Sequence, residues 1–95
     1  MIISWKHKGL KEFWDTGSKA GIQAKHAERI QGILQRLNAA VEPEDLNLPG
    51  MGFHGLIGEL KGYYAVTVSK NWRIIYRFEE GNAILVDYLD YHNKR

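Results

Sequence analysis

Tyr64-Ala65-Val66-Thr67-Val68-Ser69-Lys70-Asn71-Trp72-Arg73-Ile74-Ile75-Tyr76-Arg77-Phe78, followed by Glu79-Glu80-Gly81-Asn82 and then Ala83-Ile84-Leu85-Val86-Asp87-Tyr88-Leu89-Asp90-Tyr91, decides the fold. Three runs rich in β-branched and aromatic residues are separated by two short polar breaks, Ser69-Lys70-Asn71 and Glu79–Asn82. That is the pattern of consecutive strands joined by tight turns, and such strands form an antiparallel meander. Period-2 geometry sorts each strand into faces. Tyr64, Val66 and Val68 alternate with Ala65 and Thr67, while Trp72, Ile74, Tyr76 and Phe78 oppose Arg73, Ile75 and Arg77. On the last strand, Ile84, Val86, Tyr88, Asp90 and His92 are expected on one side, with Leu85, Asp87, Leu89 and Tyr91 on the other.

Upstream of the meander the period changes. Leu10, Phe13 and Trp14 fall at i, i+3, i+4 between Lys8 and Thr16, the spacing of one helical face, and Gly17 is placed to end that helix. A second helix is predicted over about Ala24 to Ala40. Its apolar stripe is Ala27, Ile30, Ile33, Leu34, Leu37 and Val41, and Glu42-Pro43 closes it. Ile2-Ile3-Ser4-Trp5 reads as a short first strand. Residues 46–62, with glycines at 50, 52, 55, 58 and 62, read as a bent connection. The expected class is α+β: a short N-terminal strand and two helices packed on a mainly antiparallel sheet, as one domain over residues 1–95.

Composition narrows the function. The chain has no cysteine, so disulfide and thiolate chemistry are excluded and a cytoplasmic location is expected. No apolar run approaches a membrane span. The net charge is only +2, but residues 1–36 hold seven Lys or Arg against three acids. Charge alone does not separate a phosphate-binding face from ordinary solvated surface. His7 and His26 have no partner at metal-ligand spacing, and no zinc, calcium or two-metal pattern, phosphate loop or cofactor motif is present.

The titratable residues gather at the end of the chain, in Asp87-Tyr88-Leu89-Asp90-Tyr91-His92. An imidazole exchanges protons near neutral pH, and a carboxylate beside it raises its basicity. Pattern leaves two readings open: an acid–base cluster, or a terminus whose polar residues face water. Arg73, directly after Trp72 and beside a turn, suits a phosphodiester that gains negative charge in its transition state. Arg77 is expected to pair with Asp87 or Glu79. His54 is the lone ionisable ring of the glycine-rich connection. A metal-independent nuclease built from His54, Arg73, Asp90 and His92 suits RNA, whose own 2′-hydroxyl can attack phosphorus.

Lys6-His7-Lys8-Gly9-Leu10, Gly62-Tyr63-Tyr64-Ala65-Val66-Thr67-Val68, Asn71-Trp72-Arg73-Ile74 and Asp90-Tyr91-His92 together resemble the HigB toxins, of the RelE/ParE superfamily of type II toxin–antitoxin systems. The resemblance spans nearly the whole chain. It implies a RelE-like fold and a ribosome-dependent endoribonuclease that cuts messenger RNA in the A site by 2′-hydroxyl attack. His54, Arg73, Asp90, Tyr91 and His92 match the family's catalytic positions, with Tyr91 expected to stack on a base or ribose. Lys6, Lys8, Lys11, Lys61, Lys70 and Arg77 are the basic positions expected to meet RNA or the ribosome. The implied partners are the ribosome carrying message and a HigA-like helix-turn-helix antitoxin, through which alone operator DNA is contacted. No cofactor is implied. One departure stands out: several relatives carry a lysine soon after the loop histidine, where this chain reads His54-Gly55-Leu56-Ile57-Gly58. Lys61 is displaced by four residues, so that role is not transferred. The alternatives are a ParE-like inhibitor that binds DNA gyrase without nuclease chemistry, and a decayed toxin that only binds its antitoxin or operator DNA.

Overall fold

A computed structural model describes residues 1–91. Two helices, α1 (Lys8–Thr16) and α2 (Ala27–Ala39), pack on one face of a four-stranded sheet of β1 (His54–Gly55), β2 (Tyr64–Ser69), β3 (Trp72–Glu79) and β4 (Asn82–Asp90). The strands lie in sequence order and every neighbouring pair is antiparallel. The two-residue β1 falls inside the stretch expected to be irregular.

Local chemistry sets the helix ends. The His7 Nδ1 accepts the Leu10 N–H at 3.0 Å, filling the N-cap role that a small polar side chain usually takes. At the other end Gly17 turns left-handed (φ 83°) and its N–H donates to the Phe13 carbonyl. In α2 the expected stripe is buried from Ala27 through Leu37. Val41 departs from it: the helix stops at Ala39, Ala40 is extended, and Val41 is left exposed.

The Ile2–Trp5 segment does not form a regular strand. It makes two isolated bridges, Ile2 to Ala83 and Trp5 to Val86, and both are parallel to β4. Ile2 N–H also donates to Asn38 Oδ1, tying the segment to α2.

A bulge explains the main register correction. Ile75 pairs with Asp87 but Arg77 pairs with Ile84, so β4 carries one extra residue there. Leu85 takes a positive φ of 54°, and its N–H donates to the Ser4 hydroxyl at 2.8 Å. That conformation costs a side-chain-bearing residue roughly 1–2 kcal/mol. Alternation is broken at the bulge, so Ala83, rather than Ile84, joins Val86 and Tyr88 in the main core.

That core lies between helices and sheet, with Leu10, Ile30, Leu34, Leu37, Ile74 and Tyr76 fully buried. A smaller cluster covers the opposite face, where Leu56, Tyr63, Ala65 and Ile75 pack with Leu85, Leu89 and Tyr91. Neither α1 nor α2 covers this outer face, where Leu60 of the short 3-10 turn Gly58–Leu60 packs on the cluster.

Candidate functional site

Strand pairing places three of the expected residues on the outer face. His54 is opposite Ala65, and Arg73 is opposite Thr67 on one side and Leu89 on the other. Directly paired residues share a face, and Ala65 belongs to the outer cluster, against which Tyr91 also packs. Two strand spacings and two residues along the strand put the His54 and Arg73 Cα atoms roughly 12 Å apart.

Arg73 is held rather than loose. Its Nη1 donates to the Lys70 and Trp72 carbonyls of the β2–β3 turn, and its guanidinium lies 5.7 Å from the centre of the Tyr91 ring. Tyr91 is fixed in turn, since its N–H donates to the Asn71 carbonyl at 2.7 Å. Aromatic support of this kind orients a guanidinium and leaves its charge intact. Arg73 Nε is buried without a hydrogen-bond partner. An unmet donor of that sort costs about 1–3 kcal/mol, so the position is held against a local penalty.

His54 is exposed, and its Nδ1 lies 3.1 Å from the Gly52 carbonyl. A carbonyl only accepts, so Nδ1 carries the proton and Nε2 is left as the basic nitrogen. Asp90 differs from the others. It is the register partner of Trp72, whose indole packs against the main core, so strand parity turns it toward the helix-bearing side. Tyr91 shares the Arg73 side. His92 lies outside the described residues.

The basic positions do not form one surface. Lys6 and Arg77 both lie over the Tyr63 ring, at 5.6 and 5.4 Å, and Lys61 is exposed beside Gly62, which abuts the Arg77 guanidinium. Lys8 and Lys11 belong to α1, where Lys11 is paired to Asp15 at 2.7 Å. Lys70 sits at the β2–β3 turn, beside Lys25 and Arg29. The expected pairing of Arg77 with Asp87 or Glu79 is not found. The bulge shifts Ile84 opposite Arg77, and Lys11–Asp15 is the one ion pair among the described residues.

His26 and Tyr88 form a buried polar pair that the sequence does not join. His26 is 4% exposed, and its Nδ1 lies 2.7 Å from the Tyr88 hydroxyl. Burial first, and the Lys25 charge second, hold its pKa below the usual 6.5. Burial likewise raises that of Tyr88, partly offset by the Gln23 N–H. The clue was available: His26 precedes Ala27 and lies four residues before Ile30, at the edge of the buried stripe. Among the described residues no group of His, Asp or Glu is arranged to hold a metal, and no helix is long and apolar enough to cross a membrane.

Comparison with known proteins places the chain in a family. Residues 3–92 match the family described as RelE-like toxin of type II toxin-antitoxin system HigB. The chain is 41% identical over 92 residues to Endoribonuclease HigB of Proteus vulgaris, covering 97% of this chain and all of that one. It is 33% identical to Toxin HigB-1 of Vibrio cholerae serotype O1, covering 97% and 98%. Among solved structures, a point mutant of YafQ from E. coli superposes with a TM-score of 0.65 at 16% identity, covering 99% of this chain and 98% of that one. The YoeB dimer from Staphylococcus aureus gives 0.62 at 16% identity, covering 97% of each chain. Those two likenesses concern the fold alone. With a family match across nearly its whole length and a relative at 41% identity, the chain belongs to the HigB family of RelE-like toxins of type II toxin–antitoxin systems.

Proposed function

We propose that this toxin is an endoribonuclease that cuts messenger RNA in the ribosomal A site, without a metal, by attack of the RNA's own 2′-hydroxyl. The observation that carries the reading is the Arg73–Tyr91 pair on the outer face of the sheet. It offers a fixed positive charge at the open end of β3, with an ionisable ring, His54, on the same face. A scissile phosphate bound there gains charge as the 2′-oxygen attacks phosphorus, and Arg73 stabilises that charge more than it stabilises the bound substrate. His54 Nε2 is a proton acceptor on that face and His92 is assigned the second proton transfer, while Asp90, turned to the helix-bearing side by strand parity, acts as an orienting partner rather than on the phosphate itself. Tyr91 supports the guanidinium from one side and stacks on a base or ribose with its remaining surface. The bond from phosphorus to the 5′-oxygen breaks, leaving a 2′,3′-cyclic phosphate and a 5′-hydroxyl.

Docking on the ribosome uses the separate basic groups: Lys6, Lys61 and Arg77 around Tyr63, Lys8 and Lys11 on α1, and Lys70 at the turn. The toxin acts in the cytoplasm and is neutralised by a HigA-like antitoxin. A message carrying a single 2′-deoxy nucleotide at the cut site tests the chemistry. It resists cleavage on programmed ribosomes, while the all-ribose message yields cyclic-phosphate ends. Equal cutting of both messages, or 5′-phosphate products, rules out 2′-hydroxyl attack.

A further inference from the structure

A cleft of about 390 Å³ opens between the start of α2 and the β2–β3 turn, lined by Lys25, His26, Arg29, Lys70 and Trp72 among others. It lies across the strand from Arg73, because Trp72 and Arg73 are consecutive on β3 and project to opposite faces. Every charged residue that lines it is cationic. Arg29 is anchored: its Nε and Nη2 donate to the Thr67 carbonyl at 3.2 and 2.9 Å, and Nη2 also donates to the Gly50 carbonyl at 2.9 Å. Trp72 is half-buried and braced from behind, with its ring centre 4.6 Å from that of Tyr88 and 5.8 Å from that of His26.

His26 also lines the cleft. The Tyr88 hydroxyl also lies within reach of the Gln23 N–H, and its 2.7 Å contact with His26 Nδ1 holds the imidazole in place. Nε2 is the ring nitrogen not engaged by Tyr88. The lowered pKa of His26 is consistent with a neutral ring at physiological pH.

The positive lining continues past Arg29. A second, smaller cleft is lined by Arg29, Arg36, Leu48, Pro49 and Met51. Arg29 and Arg36 lie seven residues apart on α2, within about 20° of one another around it and roughly 10 Å apart along it, and Lys25 stands in the 3-10 turn just before the helix. Glu28 lines neither cleft. A braced indole beside clustered cations, Arg29 among them held by two carbonyls, offers what a single-stranded nucleic acid requires: a stacking platform and a phosphate track.

We infer that this cleft is a nucleotide-binding subsite that takes one unpaired RNA nucleotide, its base on Trp72 and the adjoining phosphates along Lys70, Lys25, Arg29 and Arg36. The inference rests on the reading of the toxin as an RNA-cutting enzyme, and adds a second contact on the other side of β3 from the proposed cutting site. Register supports the connection, since Asp90, at the end of β4, is the partner of Trp72. The nucleotide belongs either to the message or to ribosomal RNA, and the two are separable.

The test uses the full chain and a fluorescein-labelled 2′-O-methyl RNA decamer, which lacks the attacking hydroxyl and is not consumed. Anisotropy is read across a salt series for the wild type, Lys25→Gln/Lys70→Gln, Trp72→Phe, and Lys19→Glu, which removes the same net charge elsewhere. The double variant is expected to bind at least tenfold more weakly, with a salt slope shallower by about 1.4, or about 0.7 for each lost phosphate contact. Trp72→Phe weakens binding with the slope unchanged, and Lys19→Glu stays near wild type. If the same loss is also seen with vacant ribosomes, the nucleotide is ribosomal; if ribosome binding is unchanged, it belongs to the message. A double variant that binds the decamer like Lys19→Glu overturns the inference. So does a loss confined to an acidic peptide probe, which would make the cleft a protein-docking surface. Cleavage by the wild type is scored in parallel. A wild type that cuts while the double variant binds normally sinks the cleft alone. A wild type that cuts nothing, with binding still lost in the double variant, sinks the cleavage reading alone.

Discussion

Replacing Gly9 by alanine adds one methyl group where the backbone of α1 passes close to Gly21, in the segment before α2. A Cβ built on Gly9 meets Gly21 O at 2.6 Å, Gly21 Cα at 2.7 Å and Gly21 C at 2.9 Å, and one built on Gly21 meets Gly9 Cα at 2.5 Å. All of these obstructing atoms are main chain, so no rotamer change relieves them. Over-packing of this kind costs about 1–3 kcal/mol, and the rigid neighbour puts Gly9→Ala at the upper end. Helix propensity returns at most about 1 kcal/mol, because Gly9 lies in the first turn of α1. The net loss is ~2 kcal/mol, a fall of roughly 8–16 °C in Tm for a domain of this size. Gly32→Ala is the internal control. Gly32 is an exposed residue within α2, and nothing lies within 4 Å of an added Cβ. There the same methyl group is expected to stabilise by about 0.5–1 kcal/mol. Thermal melts followed by circular dichroism separate the two by nearly 3 kcal/mol and with opposite sign. A Gly9→Ala protein as stable as the wild type would refute the close crossing of α1 with the segment before α2.

Leu34→Ala, at a fully buried position of the α2 stripe, is expected to cost about 2–5 kcal/mol in chemical denaturation, the range for a leucine whose cavity only partly collapses. The low pKa of His26 predicts a pH effect: the unfolded chain takes up the proton first, so this contribution is complete above 6.5 and is lost as pH falls through the folded value. The stability gap between wild type and His26→Gln should therefore narrow from about pH 8 to about pH 5, and a constant gap would argue against a buried neutral ring. Arg73→Ala is expected to slow single-turnover cleavage by about 10²–10³-fold while leaving ribosome affinity within a few-fold, as befits a group that acts on developing charge. Equal losses in rate and affinity would make Arg73 a docking residue instead.

Much of this architecture could be read from short-range signals. The bounds of α1 follow from three apolar residues at helical spacing and a terminal glycine, and both hairpins follow from their turn residues. The second turn is an instance: Glu80 and Gly81 both take positive φ, as a two-residue loop matched to strand twist requires. What escaped the sequence depends on partners distant in the chain. The bulge at Leu85 is stabilised by Ser4, eighty-one residues away, and nothing local marks a leucine for a left-handed conformation. The parallel direction of the N-terminal segment is likewise invisible in its own four residues. Val41 continued the apolar period, but the helix had already ended at Ala39.

The site was legible in kind more than in arrangement. Arg73 and Tyr91 were expected in the site, but their contact was not. Tyr91 had appeared to face away from the acid–base cluster. Strand register keeps Tyr91 opposite Asp90, as alternation implied, and adds that His54, Arg73 and Tyr91 share one face while Asp90 lies with Trp72. The cationic cleft leaves no local signal, because Lys25 comes from the turn before α2, Arg29 from α2, and Lys70 and Trp72 from the hairpin, and only folding brings them together.

The central claim, ribosome-dependent cutting by the groups around Arg73, is tested most directly by primer extension on a defined message. Wild type and His92→Gln are compared on programmed ribosomes and on naked RNA. The account predicts cuts at A-site codons only when ribosomes are present, and their loss in a His92→Gln protein that still folds. A folded wild type that arrests growth, leaves every message intact and blocks supercoiling by DNA gyrase would contradict it.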